Sequence, residues 1–144
     1  TGINRYAFEV AATVVENIPK RHNALKRMHG MVDEGVSVLS GDGDLAPFGQ
    51  LLDEGWRLKR SLSESVTTSY IDEIYEKAMA NGALGGKLLG AGGGGFILFF
   101  APPDRRAELR KAMGGLLEVP FRFSSQGSTI IHYEAEPAFL NGAD

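Results

Sequence analysis

Apolar residues recur every three or four positions through the first part of the chain, the spacing that places them on one face of a helix. Ala7, Ala11, Val14 and Ile18 form such a stripe from about Arg5 to Asn17, and Pro19 stops it. Leu25, Met28, Val32 and Leu39 mark a second helix over 23–39. Gly41 to Asp44 reads as a turn, because Gly and Asp tolerate the backbone angles a turn requires. Phe48, Leu51, Leu52 and Leu62 mark a third helix over 45–62. Thr67, Thr68 and Ser69 offer caps for a fourth, which reaches about Ala80 with Ile71, Ile74, Tyr75 and Ala78 as its stripe. Asn81-Gly82 closes it.

Beyond Gly82 the pattern shortens to strand length. Lys87-Leu88-Leu89 is one strand candidate, and the continuous apolar run Phe96 to Phe100 is a second. Pro102-Pro103-Asp104 starts a further helix, with Leu109, Met113 and Leu116 expected to be buried. Val119 to Phe123 alternates as a strand does, with Pro120 favouring its end or an edge position. Gln126-Gly127 turns the chain, and Ser128 to Tyr133 is the last strand candidate. A helical block followed by four strands and a helix predicts an α+β domain of two layers.

Charge narrows the possible partners. The groups Lys20-Arg21, Arg57 with Lys59-Arg60, and Arg105-Arg106 with Arg110-Lys111 each lie near carboxylates, which reads as solvated helix surface. The formal net charge is −3 over 144 residues. Without clustered cations, no nucleic-acid partner is expected. No apolar run reaches the roughly 18 residues of a membrane span, and no leader-like segment is read at the start, so no membrane partner is expected. Lack of cysteine excludes disulfides, thiolate metal sites and cysteine nucleophiles and fits a cytoplasmic location. His22, His29 and His132 lack metal-ligand spacing, so no metal site is expected. Asp33-Glu34 and Asp53-Glu54 read as ordinary surface carboxylates, and Asp72 as a first-turn residue that favours the helix dipole.

One feature resists a bland reading. Gly82, Gly85, Gly86, Gly90 and Gly92 to Gly95 crowd into a short stretch. Each glycine costs backbone entropy on folding, so the run is unfavourable unless its geometry is required. A tight connection between strands is one such requirement. The other is close approach of a ligand or another backbone, where successive N–H groups form a concave anion nest. The residues leave both open. A Walker A loop and a Rossmann fingerprint each enter a helix, whereas here Lys87 precedes the glycines and Phe96 opens a strand.

The segment from Gly82 to Phe96, with Lys87-Leu88-Leu89-Gly90-Ala91-Gly92-Gly93-Gly94-Gly95 at its centre, resembles the third signature motif of the GHMP kinases. Thr1-Gly2-Ile3-Asn4-Arg5 is similar to the segment that joins the two halves of sugar-1-kinase members. Trp56 to Leu62, followed by Ile71-Asp72, is similar to the heptose 7-phosphate kinase branch and its fucokinase-like neighbours. Together these matches span the chain to about Tyr133. The resemblance implies a helical layer packed on a four-stranded antiparallel, ferredoxin-like sheet over residues 1–134, with 135–144 as a loosely held tail.

It further implies ATP and Mg²⁺ as cofactors, bound in a cleft between an N-terminal and a C-terminal half. The implied reaction is ATP-dependent phosphorylation of the anomeric hydroxyl of a heptose 7-phosphate. The N-terminal phosphate loop P-x-x-x-G-L-G-S-S, the acidic base and the metal ligand of such kinases have no match here. The expectation is therefore a C-terminal half, truncated or separately encoded, that is inactive without an N-terminal lobe as partner. No catalytic residue is assigned within the chain. Gly90, Ala91, Gly92, Gly93 and Gly94 are the implied phosphate-proximal loop. Arg5, Trp56, Lys59 and Lys87 are the candidate contacts to the sugar phosphate, each set against a plainer reading as a packed aromatic or a solvated cation. Two rivals remain: a non-catalytic small-molecule-binding or regulatory module, and an interaction domain that pairs through an exposed seam.

Overall fold

The structure is a computed structural model that describes residues 7–90, 92–125 and 127–133. Helix α1 (Ala7–Asn17) runs into a 3-10 turn at Ile18–Lys20, where Pro19 ends the regular helix. Helices α2 (His22–Ser40) and α3 (Ala46–Leu62) form a hairpin. The Asp44 side chain accepts from the Ala46 amide at 2.9 Å, and Pro47 occupies the first turn of α3, where its missing N–H costs nothing. A 3-10 turn at Glu64–Val66 leads to α4 (Ser69–Ala80), whose N-cap Thr68 accepts from the Ile71 amide. Strands β1 (Gly85–Leu88) and β2 (Ile97–Phe100) pair antiparallel, Gly85 opposite Phe100 and Leu88 opposite Ile97. A 3-10 turn at Pro103–Arg105 then opens α5 (Arg106–Ala112).

The core lies where α3, α4 and the sheet meet. Trp56, Val66, Ile71, Tyr75 and Leu88 are buried together, with Val14, Ile97 and Phe99 packed around them. The rings of Trp56 and Tyr75 are 6.0 Å apart and those of Tyr75 and Phe99 5.8 Å, both tilted. Each fully buried aliphatic or aromatic side chain contributes roughly 1.5–3 kcal/mol, so this cluster is the main hold on the site described below. A smaller cluster of Ala78, Ala83, Ala101 and Leu109 seats α5 against the end of α4.

Two expectations need correction. Among the described residues the sheet has two strands, not four. Residues 119–123 and 128–133 form no ladder, and their apolar side chains face solvent: Phe123 is 94% and Ile131 96% exposed. A strand is held by a partner edge and a covered face, and these segments have neither. Leu116 is also exposed, because α5 stops at Ala112 and Gly115 turns the backbone at φ +96°. The stripe on α2 is only half covered, since Val32 and Leu39 stand more than half exposed beside α3. Arg5 and the rest of residues 1–6, Ala91, and the predicted tail lie outside the described residues.

Candidate functional site

The glycine cluster is the tip of the β1–β2 hairpin. The ladder extends past both strands: the Leu84 amide donates to the Phe100 carbonyl and the Leu89 amide to the Phe96 carbonyl, each at 2.8 Å. Between Leu89 and Phe96 the backbone turns through positive φ at Gly90 (+95°), Gly92 (+134°), Gly93 (+71°) and Gly95 (+111°). Side chains rarely adopt such angles, so glycine is required by the path of the loop itself.

The loop folds back onto the protein. Gly92 and Gly93 are buried, and the Gly93 amide donates to the Val66 carbonyl at 2.9 Å. That donor is therefore spent inside the chain. Gly90 stays exposed and Gly94 half-buried. The turn that receives Gly93 is itself tied down. The Ser63 hydroxyl accepts from the Ser65 amide, Asn17 Nδ2 donates to the Leu62 carbonyl at 3.1 Å, and the Val66 side chain is fully buried.

Three of the four residues nominated as sugar-phosphate contacts come together beside this loop. Lys59 on α3 donates from Nζ to the Gly90 carbonyl at 2.6 Å. Trp56, Lys59 and Lys87 line one cavity of about 380 Å³ between α2 and α3, with Met28, Leu52 and Phe48 on its apolar side. Lys59 keeps its stem half-buried and its head at the rim, as long cationic side chains do. Burial, and then the charge of nearby Lys87, hold its pKa below the ordinary lysine value. Among the described residues neither lysine has a carboxylate partner, and Gly90 occupies only one of the three donors on Lys59. Two cations without a carboxylate partner among the described residues thus stand close together, one of them bonded to the exposed Gly90.

Trp56 enters this site as its floor. The residue is 1% exposed, and its indole N–H has no acceptor among the described residues. Among those residues no group of three His, Asp or Glu side chains could hold a metal.

Two carboxylates have more specific partners than their sequence positions suggest, Asp53 as a surface group and Asp72 as a first-turn residue. Asp53 accepts from the Tyr75 hydroxyl at 2.9 Å and pairs with Arg57, bracing α3 against α4. Burial, then the Asp53 bond, raise the Tyr75 pKa well above its usual range. Asp72 accepts from Thr67 Oγ1 at 2.7 Å and from Arg60 at 3.0 Å. The Asp53–Arg57 pair has the i,i+4 spacing of one helix, whereas the bonds of Asp53 to Tyr75 and of Asp72 to Thr67 and Arg60 follow no helical spacing rule, so periodicity could not reveal them.

A family description, GHMP kinases C terminal, matches residues 34–117. A D-glycero-alpha-D-manno-heptose 7-phosphate kinase of Campylobacter jejuni is 35% identical over 92 residues, 62% of this chain and 27% of that protein. A bifunctional fucokinase/GDP-fucose pyrophosphorylase of Arabidopsis thaliana is 32% identical over 118 residues, 78% of this chain and 11% of that protein. The structure of L. major mevalonate kinase in complex with R-mevalonate superposes with a TM-score of 0.65 at 28% identity, covering 78% of this chain and 35% of that one. The chain thus spans about a quarter of the heptose 7-phosphate kinase it matches. The glycine hairpin with a helical layer packed against it, within a family match that covers more than half of the residues, leads to one conclusion: this chain belongs to the GHMP kinases, as their C-terminal domain.

Proposed function

We propose that the chain is the C-terminal half of an ATP-dependent sugar kinase that phosphorylates the anomeric hydroxyl of a heptose 7-phosphate in the cytoplasm. An N-terminal lobe, in the same or a separate polypeptide, would carry the ATP-binding loop and any Mg²⁺ ligands. The observation that supports this reading best is the contact of Lys59 with Gly90, at a cavity that Lys59 and the hairpin's own Lys87 both line. Phosphoryl transfer depends mainly on positioning and charge neutralisation, and these residues offer both.

In this reading the loop from Gly90 through Ala91, Gly92 and Gly93 to Gly94 lets a phosphate-bearing lobe approach closely where its backbone stays open, at exposed Gly90 and half-buried Gly94. Lys59 and Lys87 take the distal phosphate of the acceptor, and Arg5 faces the seam between lobes. Trp56 holds the α3 helix that carries Lys59. ATP supplies the transferred phosphoryl group. The unpaired segments 119–123 and 128–133 add strands to the sheet once the partner lobe is present, which would cover Phe121, Phe123 and Ile131.

The test is a coupled assay of ADP release by this chain joined to its ATP-binding lobe, across a panel of heptose 7-phosphate, galactose, fucose and mevalonate. Turnover of the heptose phosphate is expected, and turnover of mevalonate alone would refute the assignment. The cavity of about 380 Å³ favours a second reading, a non-catalytic small-molecule-binding module. Calorimetry on the isolated chain separates the two, because tight sugar-phosphate binding without a partner lobe supports the module.

A further inference from the structure

The glycine loop meets the helical layer through a backbone bond that joins residues far apart in sequence, from the Gly93 amide to the Val66 carbonyl. What holds that carbonyl in place therefore sets where the loop sits. Val66 ends the 3-10 turn, and the next residue, Thr67, is extended at φ −128°. Its hydroxyl donates to Asp72 Oδ1 at 2.7 Å, while Asp72 Oδ2 accepts from Arg60 at 3.0 Å. Asp72 is thus bonded at both oxygens, one toward the turn and one toward α3. All three side chains are at least partly buried, with Asp72 24% and Arg60 35% exposed. Hydrogen bonds to a charged group in such a setting are the stronger kind.

We infer that the Arg60–Asp72–Thr67 clamp is a positioning device for the glycine loop, acting through the Val66 carbonyl that receives the Gly93 amide. The consequence for catalysis rests on the proposed phosphate-side role of the loop, while the clamp itself does not. Arg60 lies one residue after Lys59, so the same stretch of α3 carries the cation at Gly90 and the anchor of the clamp.

The test is amide hydrogen exchange on the chain with Thr67→Val, which keeps shape and loses the hydroxyl, and with Thr67→Ser, which restores it. Exchange at Gly93 is expected to quicken roughly tenfold or more in Thr67→Val and to return close to the starting rate in Thr67→Ser. The ladder amides of Leu84 and Leu89, which bond across the hairpin, serve as the internal reference. Gly93 moving no more than these two would overturn the inference. If Thr67→Val unfolds the chain, Asp72→Asn is read in the same way. In the kinase with its N-terminal lobe, Thr67→Val is expected to lower kcat by about tenfold with little change in acceptor KM. Faster Gly93 exchange with unchanged kcat keeps the clamp and instead overturns the phosphate-side reading of the loop.

Discussion

Gly85 and Gly49 bring strand β1 and helix α3 into backbone contact. A methyl group built on Gly85 would fall on the Gly49 carbonyl oxygen and stand 2.8 Å from the Asp53 amide. Neither neighbour is a side chain that can swing aside, so the fit needs glycine at that position. This contact carries β1, and with it the glycine hairpin, flat against the helix that bears Lys59.

Gly85→Ala should therefore force strand and helix apart and cost roughly 3 kcal/mol or more. Gly90→Ala meets no atom within 4 Å and pays only for its positive φ, on the order of 1–2 kcal/mol. Urea unfolding of the two variants checks the order. Equal losses would mean that the close approach is not what makes Gly85 matter.

Lys59 and Lys87 should act together on an anion. In the kinase, Lys87→Gln is expected to raise the KM for a phosphorylated acceptor about tenfold while leaving that for an unphosphorylated sugar unchanged. Steady-state kinetics with both acceptors decides it. An equal rise for both would remove the distal phosphate from this site.

The same pair makes stability depend on alkaline pH. Burial and Lys87 hold the folded-state pKa of Lys59 below the ordinary 10.5. Between the two values the unfolded chain binds more protons than the folded one, so the penalty carried by Lys59 is present at neutral pH and lifts as pH rises toward 10.5. Tyr75 works the other way: its raised pKa leaves it protonated in the folded chain after the unfolded phenol ionises above 10.0. The clean readout is the difference between the original chain and Lys59→Met in unfolding midpoint from about pH 8 to about pH 10. The original chain should gain on the variant across that range, and a constant difference would contradict the shift.

At the acid end the relevant group is the bridge between α2 and α3. Arg27 pairs with Glu34 and, from Nε at 2.6 Å, with Glu54. Its hydrogen bonds, ahead of any burial effect, lower both carboxyl pKa values below 4.5. Their contribution is present above that value and lost as pH falls through the depressed folded-state values. Arg27→Met should flatten the acid limb of the stability curve. The difference should shrink in high salt, because all three groups are solvent-exposed. Acid titration of the unfolding midpoint at low and high salt measures both effects.

Helix boundaries and the hairpin strands were legible because each rests on local rules. Thr68 caps α4 within its own turn, Pro19 stops α1, and the apolar run Ile97–Phe100 reads as a strand wherever it finds a partner. Motif resemblance nominates Lys59, Lys87 and the glycines; the structure sets Lys59 against Gly90 and lines one cavity with both lysines, while Gly93 turns onto Val66. Asp72 was legible only as a first-turn carboxylate, because its bonds to Thr67 and Arg60 join side chains whose meeting is decided by how α3 and α4 pack. The segments 119–123 and 128–133 show the reverse limit, since alternation signals a strand but cannot supply the edge it must pair with.

Sequence alone determined the periodic elements, the need for bare backbone between Leu89 and Phe96, and membership of the chain in its kinase family. Tertiary structure decided which loop amides remain available, that of Gly93 being spent on Val66, and which cations reach the loop. The physical reason is range. Propensity, capping and glycine conformation act within a few residues, whereas a hydrogen bond between groups some thirty residues apart exists only after packing of Trp56, Tyr75 and Leu88 has set the distance.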